Sequence, residues 1–248
     1  MPPTSPLVLL HGLIGTLQAP DLQPFFPSRP LFAPDLLGYG AWRDCAPADI
    51  RIATQVAHLH TLIDQQFGAE PVDLLGHSVG GVVAVAFAQR YPQRVARLVS
   101  VEGNFTLRDA FWSSSVARMP LAEVEAMLAG FRADPLGWLA AAGVEEGDGR
   151  LAVAQRWLDQ QPASTVKAMA QSVVEVTARA DYSGLLRRVF ASHPVHLLAG
   201  ARSHAGWDVP AWARHAAASD TQVDGSGHLL MLEQPQAFAR AVNTALSG

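Results

Sequence analysis

A serine lies between two glycines in Gly76-His77-Ser78-Val79-Gly80. The run before it, Val72-Asp73-Leu74-Leu75, has the composition of a buried strand. The Ala/Val-rich run after it, as far as Gln89-Arg90-Tyr91-Pro92, is long enough for about three turns of helix. This is the G-x-S-x-G nucleophile-elbow pattern in the strand–turn–helix context that it requires. On so tight a turn the serine hydroxyl stands above the sheet edge, and side chains at positions 76 and 80 are expected to collide with neighbouring backbone. The helix that follows aims free N–H groups and the positive end of its dipole at the place where an oxyanion would form.

An activated serine needs a base, an acid behind that base, and donors for the oxyanion. Of nine histidines, His228 occupies Asp224-Gly225-Ser226-Gly227-His228, a flexible turn between the last expected strand and the final helix. Glycines there let the loop carry an imidazole over the sheet edge. The others are better accounted for by helix surface, strand or loop packing. His11 reads as a turn residue closing the apolar run Leu7–Leu10, after which the backbone N–H of Leu13 faces the region above Ser78. The N–H of Val79, at the start of the helix, is the second expected donor.

These residues must be positioned by a repeating framework. Short apolar runs at Leu7–Leu10, Leu31–Ala33, Val72–Leu75 and Leu98–Val101 read as strands, and apolar residues at helical spacing (Ile52, Val56, Leu59, Leu62, Ile63) predict a helix from Ala48 to Phe67. The segment from His11 to Pro30 reads as loop with at most a short helix. From Asn104 to about Phe190 the pattern changes to amphipathic helices alone, at Leu121–Phe131, Leu136–Ala142, Leu151–Gln160 and Ser164–Arg179. Alternation resumes with a strand at Val195–Gly200, a helix near Val209–Ala217, a strand near Thr221–Val223 and a helix over Pro235–Leu246. The expectation is an α/β fold with a mostly parallel sheet flanked by helices. Residues 1–103 and 191–248 would form its core, and 104–190 a helical cap inserted over the strand ends.

With 248 residues, 49% hydrophobic and 16% charged, the chain has ample material for one large buried core. A net charge of −4 with scattered Lys and Arg argues against nucleic acid as a partner. The single cysteine, Cys45, excludes an internal disulfide and fits a reducing compartment. The N-terminal run is short and lacks a basic region, unlike a secretory signal, and Val79–Ala88 is too short to span a bilayer. A cytoplasmic protein acting on a small molecule is expected. No metal-ligating or phosphate-cradling spacing occurs, so no metal and no cofactor is expected.

Four segments in order, LVLLHGL at 7–13, DLLGYG at 35–40, GHSVGG at 76–81 and GSGHLLMLEQP at 225–235, resemble the α/β-hydrolase superfamily, of the compact, capped, esterase-like kind. The resemblance covers nearly the whole chain, whose first strand would correspond to the family's third, so the usual N-terminal hairpin is expected to be missing or reduced. It implies an α/β-hydrolase fold, with Ser78 as nucleophile and His228 as base.

The acid departs from the family pattern. Most relatives carry G-x-x-D after the penultimate strand, and here Gly200-Ala201-Arg202-Ser203 ends in serine. Glu102, at the end of the strand after the elbow, is where haloalkane dehalogenases among others draw their acid. Asp208 is the alternative, although an Asp at a helix start has a sufficient structural reason. Asp224 is too near His228 in sequence. The expected activity is that of a cofactor-independent serine hydrolase on a carboxylic ester or thioester. C–C bond hydrolases, perhydrolases, acyltransferases and slow hydrolase-like receptors share the fold. Apolar residues of the insertion (Phe105, Phe111, Trp112, Met119, Met127, Phe131, Trp138, Trp157) would line the cleft or hold its helices together.

Overall fold

A computed structural model of the chain describes residues 5–18, 22–145 and 147–247. The apolar runs become strands β1 (Leu7–Leu10), β2 (Leu31–Phe32), β3 (Val72–His77), β4 (Val95–Val101), β5 (Val195–Gly200) and β6 (Ser219–Val223). They form one parallel sheet in the order β2-β1-β3-β4-β5-β6. β1, β3 and β5 are buried along their whole length, as the unbroken apolar run of β1 predicts for a strand covered on both faces; β3 also buries Asp73 and β5 His196. Side chains alternate between two cores. Val8, Leu10, Leu74 and Leu98 join one cluster, and Leu7, Leu9, Leu75 and Val99 join the other.

Before the long insertion come α1 (Ile52–Phe67) and α2 (Val79–Arg90). Helix α1 starts later than the expected Ala48, at the first of the spaced apolar residues. A 3-10 turn at Pro47–Asp49 precedes it, and the Ile52 N–H is taken by Ser172 Oγ at 2.9 Å. In α2 nearly every residue is buried, and its small side chains let it lie between β3 and neighbouring helices. Of the expected loop between positions 11 and 30, residues 19–21 lie outside the described residues; Gln23–Phe25 is a 3-10 turn.

Between β4 and β5 run α3 (Phe111–Arg118), α4 (Leu121–Ala133), α5 (Pro135–Ala141), α6 (Arg150–Asp159), α7 (Ala163–Thr177) and α8 (Tyr182–Ser192). Helices α3 and α4 pack on α7, and α5 on α6. Two of the six were not anticipated. Helix α3 holds three consecutive serines, which are poor helix formers, and only Ser113 and Val116 are buried. Helix α8 contains Gly184, a cost of about 1 kcal/mol that burial of Tyr182, Leu186, Val189 and Phe190 outweighs. It packs against α2 and against α9 (Ala211–Ala216), in the helical layer of the sheet. Helices α10 (Leu230–Glu233) and α11 (Pro235–Ala245) close the described chain. Among the described residues, no helix is long and apolar enough to cross a membrane.

The register sets what meets at the carboxyl edge. Leu10 pairs with Gly76, His77 with Val101, and Val101 with Leu198, so β1, β3, β4 and β5 deliver the residues after them to one place. Ligand sites of open parallel sheets form at that edge.

Candidate active site

Ser78 sits between β3 and α2 with φ at 53°, and Glu102, just past β4, has φ at 44°. Among the described residues these are the only non-glycine positions with positive φ. Such conformations cost about 1–3 kcal/mol each and persist where surrounding structure imposes them. At Ser78 the imposition is visible. Its N–H donates to Val101 O and its carbonyl accepts from Gly81 N–H, both at 2.9 Å. A Cβ on Gly76 would come within 2.5 Å of the Gly80 carbonyl oxygen, and one on Gly80 would overlap the Leu10 carbonyl. Both glycines are therefore required for the turn, as the spacing predicts.

His228 follows β6 on a loop and donates from Nδ1 to Glu102 Oε2 at 2.7 Å. That bond fixes the neutral tautomer, leaving Nε2 as an acceptor. Glu102 is 6% exposed, and its other oxygen accepts from Gly200 N–H at 2.8 Å and from the Ser203 hydroxyl. Burial pushes the Glu102 carboxyl up, but the hydrogen bond and charge of His228, with Ser203 and Gly200, outweigh it and hold the group below the usual carboxylate value. Ser203, at the place where the family pattern has its Asp, is thus a donor to Glu102. The Asp208 carboxylate is elsewhere: it accepts from Thr106 Oγ1 at 2.8 Å and lies 3.9 Å from Arg108 Nη1. Asp224 is exposed.

Three supports around this group have no role assigned from the sequence, although two of them lie within the segments DLLGYG and GHSVGG. His77 donates from Nε2 to the carbonyl oxygen of His228 at 2.9 Å, and burial, reinforced by nearby His228, pushes its pKa down to about 3. Tyr39, wholly buried, donates its hydroxyl to the carbonyl of Leu13 at 2.9 Å. Gln161 accepts from Gly15 N–H at 3.1 Å, tying the loop after β1 to the end of the α6 segment.

That loop brings Leu13 beside the elbow. A Cβ on Gly12 would lie 3.3 Å from Ser78 Cβ, and the Leu13 N–H makes no backbone hydrogen bond among the described residues. The Val79 N–H begins α2 directly after Ser78. His11 donates from Nδ1 to Gly12 O at 2.8 Å, and burial holds its pKa below the ordinary histidine value, as suits a turn residue.

Ser78, Glu102 and His228 open onto one cavity of about 580 Å³. Of the apolar residues of the insertion, Phe111, Trp112, Phe131, Trp138 and Trp157 line it. Phe105, Met119 and Met127 pack instead into the core, Phe105 edge-on against Phe190 and Trp207. Trp42, which follows Tyr39, is 45% exposed and lies outside the cavity.

The chain is similar in sequence and in fold to known proteins. The chain is 33% identical over 118 residues to Lipase 1 of Psychrobacter immobilis, covering 46% of this chain and 34% of the lipase. It is 34% identical over 113 residues to a 2-hydroxy-6-oxo-2,4-heptadienoate hydrolase of Pseudomonas putida, covering 42% and 41%. The match thus spans about a third of the length of the lipase and two fifths of the hydrolase. A loop variant of a haloalkane dehalogenase from Bradyrhizobium elkanii superposes with a TM-score of 0.76 at 21% identity, over 100% of this chain and 91% of that one. A sequence profile described as the alpha/beta hydrolase family matches residues 7–241, from the first residue of β1 into α11. With that match and its parallel sheet, the chain belongs to the alpha/beta hydrolase family.

Proposed function

We propose that the chain is a cofactor-independent serine hydrolase that cleaves a carboxylic ester or thioester through an acyl-enzyme, with Ser78, His228 and Glu102 as its triad. The hydrogen bond from His228 Nδ1 to Glu102 Oε2 at 2.7 Å, beside the cavity that Ser78 lines, carries this reading. Ser78 Oγ attacks the carbonyl carbon while His228 Nε2 takes its proton. Glu102 stabilises the imidazolium, and the N–H groups of Leu13 and Val79 bind the oxyanion. The C–O or C–S bond then breaks, and His228 returns the proton to the leaving group. Water, giving a proton to His228, then attacks the acyl carbon; the bond to Ser78 Oγ breaks, the acid leaves, and His228 passes the proton back to Ser78 Oγ. Helices α3–α7 serve as the cap that keeps bulk water from the cleft, and the aromatic lining supports a small-molecule substrate with an apolar part.

A fluorophosphonate probe tests the nucleophile. Wild-type protein should label, and Ser78→Ala should not; labelling that survives the substitution overturns the assignment. On a panel of p-nitrophenyl esters and acyl-CoAs, Glu102→Gln should lower kcat by about 10³–10⁴-fold, and Asp208→Asn by far less. The reverse order would make Asp208 the acid. The resemblance to the dienoate hydrolase gives C–C cleavage as the outcome to test if neither panel is turned over.

A further inference from the structure

One wall of the cavity does not match its aromatic remainder. Beyond Glu102, the chain supplies Asn104, Asp109 and, in the first turn of α3, Ser113 to the lining. Asn104 is 8% exposed, and its Oδ1 is buried with no hydrogen-bond partner among the described residues. Its backbone carbonyl is already taken by the Tyr182 hydroxyl at 2.7 Å, so the side-chain amide is what remains for a ligand. Asp109 accepts from Phe105 N–H at 3.1 Å and from Asp208 N–H, both neutral donors. The nearby guanidinium of Arg108 is 85% exposed and faces Asp208 instead. No lysine or arginine lines the cavity among the described residues.

We propose that this wall is a recognition site for a protonated amine, so that the natural ester carries an N–H-bearing ammonium group. The inference rests on the hydrolase reading for its kinetic readout. Filling the cavity with an apolar group would remove water from the Asp109 carboxylate, which is unfavourable, and the Asn104 oxygen, already shut off from solvent, would stay unpaired. A hydroxyl satisfies Asn104 but not the charge. An ammonium N–H satisfies both, and Trp112 and Trp138 in the same lining are of the ring type that attracts a cation. The Asp109 pKa agrees: burial, with Asp208 nearby, raises it to about 6, the behaviour of a carboxylate lacking its counter-ion.

Three butyrate esters of similar size separate the contributions: 2-(dimethylamino)ethyl, choline and 3-methylbutyl, the last being the neutral isostere of the first. At neutral pH the first is a cation with an N–H, the second a cation without one, and the third neutral. The kcat/KM of the first should exceed that of the third by about 10- to 100-fold, with choline between. Asp109→Asn should collapse the preference for cation over neutral, and Asn104→Leu should remove the difference between the two cations. Equal kcat/KM for the first and third esters in the wild-type protein overturns the proposal whatever the variants do. If none of the three is turned over, the fluorophosphonate probe still judges the hydrolase reading and calorimetry decides this one. The Ser78→Ala protein should then bind the dimethylamino ester more tightly than its neutral isostere; equal affinity would sink the amine site.

Discussion

His77 and His228 are joined through their loops: the Nε2–H of one donates to the backbone carbonyl of the other at 2.9 Å, and the rings lie 4.7 Å apart. The residue before Ser78 therefore holds the backbone that carries the proposed base. Its strongly lowered pKa keeps it neutral across the working range, so it remains a donor of constant strength and puts no second charge beside His228.

His77→Leu keeps bulk and removes the donor. We expect kcat on the ester panel to fall by about 10- to 100-fold with KM little changed, since a misplaced base affects the chemical step. His77→Gln, which retains an N–H at similar reach, should recover much of the loss. If both variants lose activity equally, bulk and not the hydrogen bond is what His77 supplies.

Tyr39→Phe addresses the opposite wall. The hydroxyl at 2.9 Å from Leu13 O is the tether of the loop whose N–H is the proposed oxyanion donor. Without it a buried carbonyl loses its partner, at about 1–3 kcal/mol. Denaturant unfolding should register that loss, and kcat should fall further than the stability change alone would bring. Unchanged kcat would mean that the Leu13 peptide is held by other contacts.

What the sequence displayed and what it hid follow from the range of each interaction. The buried strands were legible because a parallel strand covered on both faces is mostly apolar, as Leu7–Leu10 is. Gly76 and Gly80 were legible because a turn of fixed shape permits only glycine there. Helix α8 was hidden because Gly184 lowers local propensity, while the burial that offsets it depends on α2 and α9. Tyr39, His77, Asn104 and Gln161 were hidden for a related reason. Each acts through a partner, or the lack of one, that only the folded chain defines.

Asp73 was hidden likewise, as a charge inside an apolar strand. It is wholly buried near the amino end of β3, where Arg29 and Arg97 meet it, Arg97 at 2.8 and 2.9 Å. Asp73→Ala removes the carboxylate that neutralises two largely buried guanidinium groups, leaving Arg29 the carbonyls of Ser5 and Leu246 and Arg97 that of Leu246, and should destabilise the protein by about 3–5 kcal/mol. The site lies at the other end of the strands, so the folded fraction should keep its kcat. Urea unfolding beside active-site titration with the fluorophosphonate checks both. A stable variant would mean that the arginines find solvent or other acceptors.

Glu102 ties the site to stability through pH. Its folded-state pKa is lowered from the ordinary value, chiefly by His228 against the opposing effect of burial. Between the folded and unfolded values the unfolded chain binds more protons, so stability rises with pH through that interval. The contribution is present in full above the ordinary glutamate pKa and is lost as the pH falls through the lower, folded value. Glu102→Gln removes the titration. The wild-type protein should therefore melt above the variant at neutral pH, and the gap in Tm should narrow on acidification below the usual carboxylate range. A gap that stays constant or widens toward acid would show that burial, not the bond to His228, governs this carboxylate, and would leave the imidazole without its charged partner.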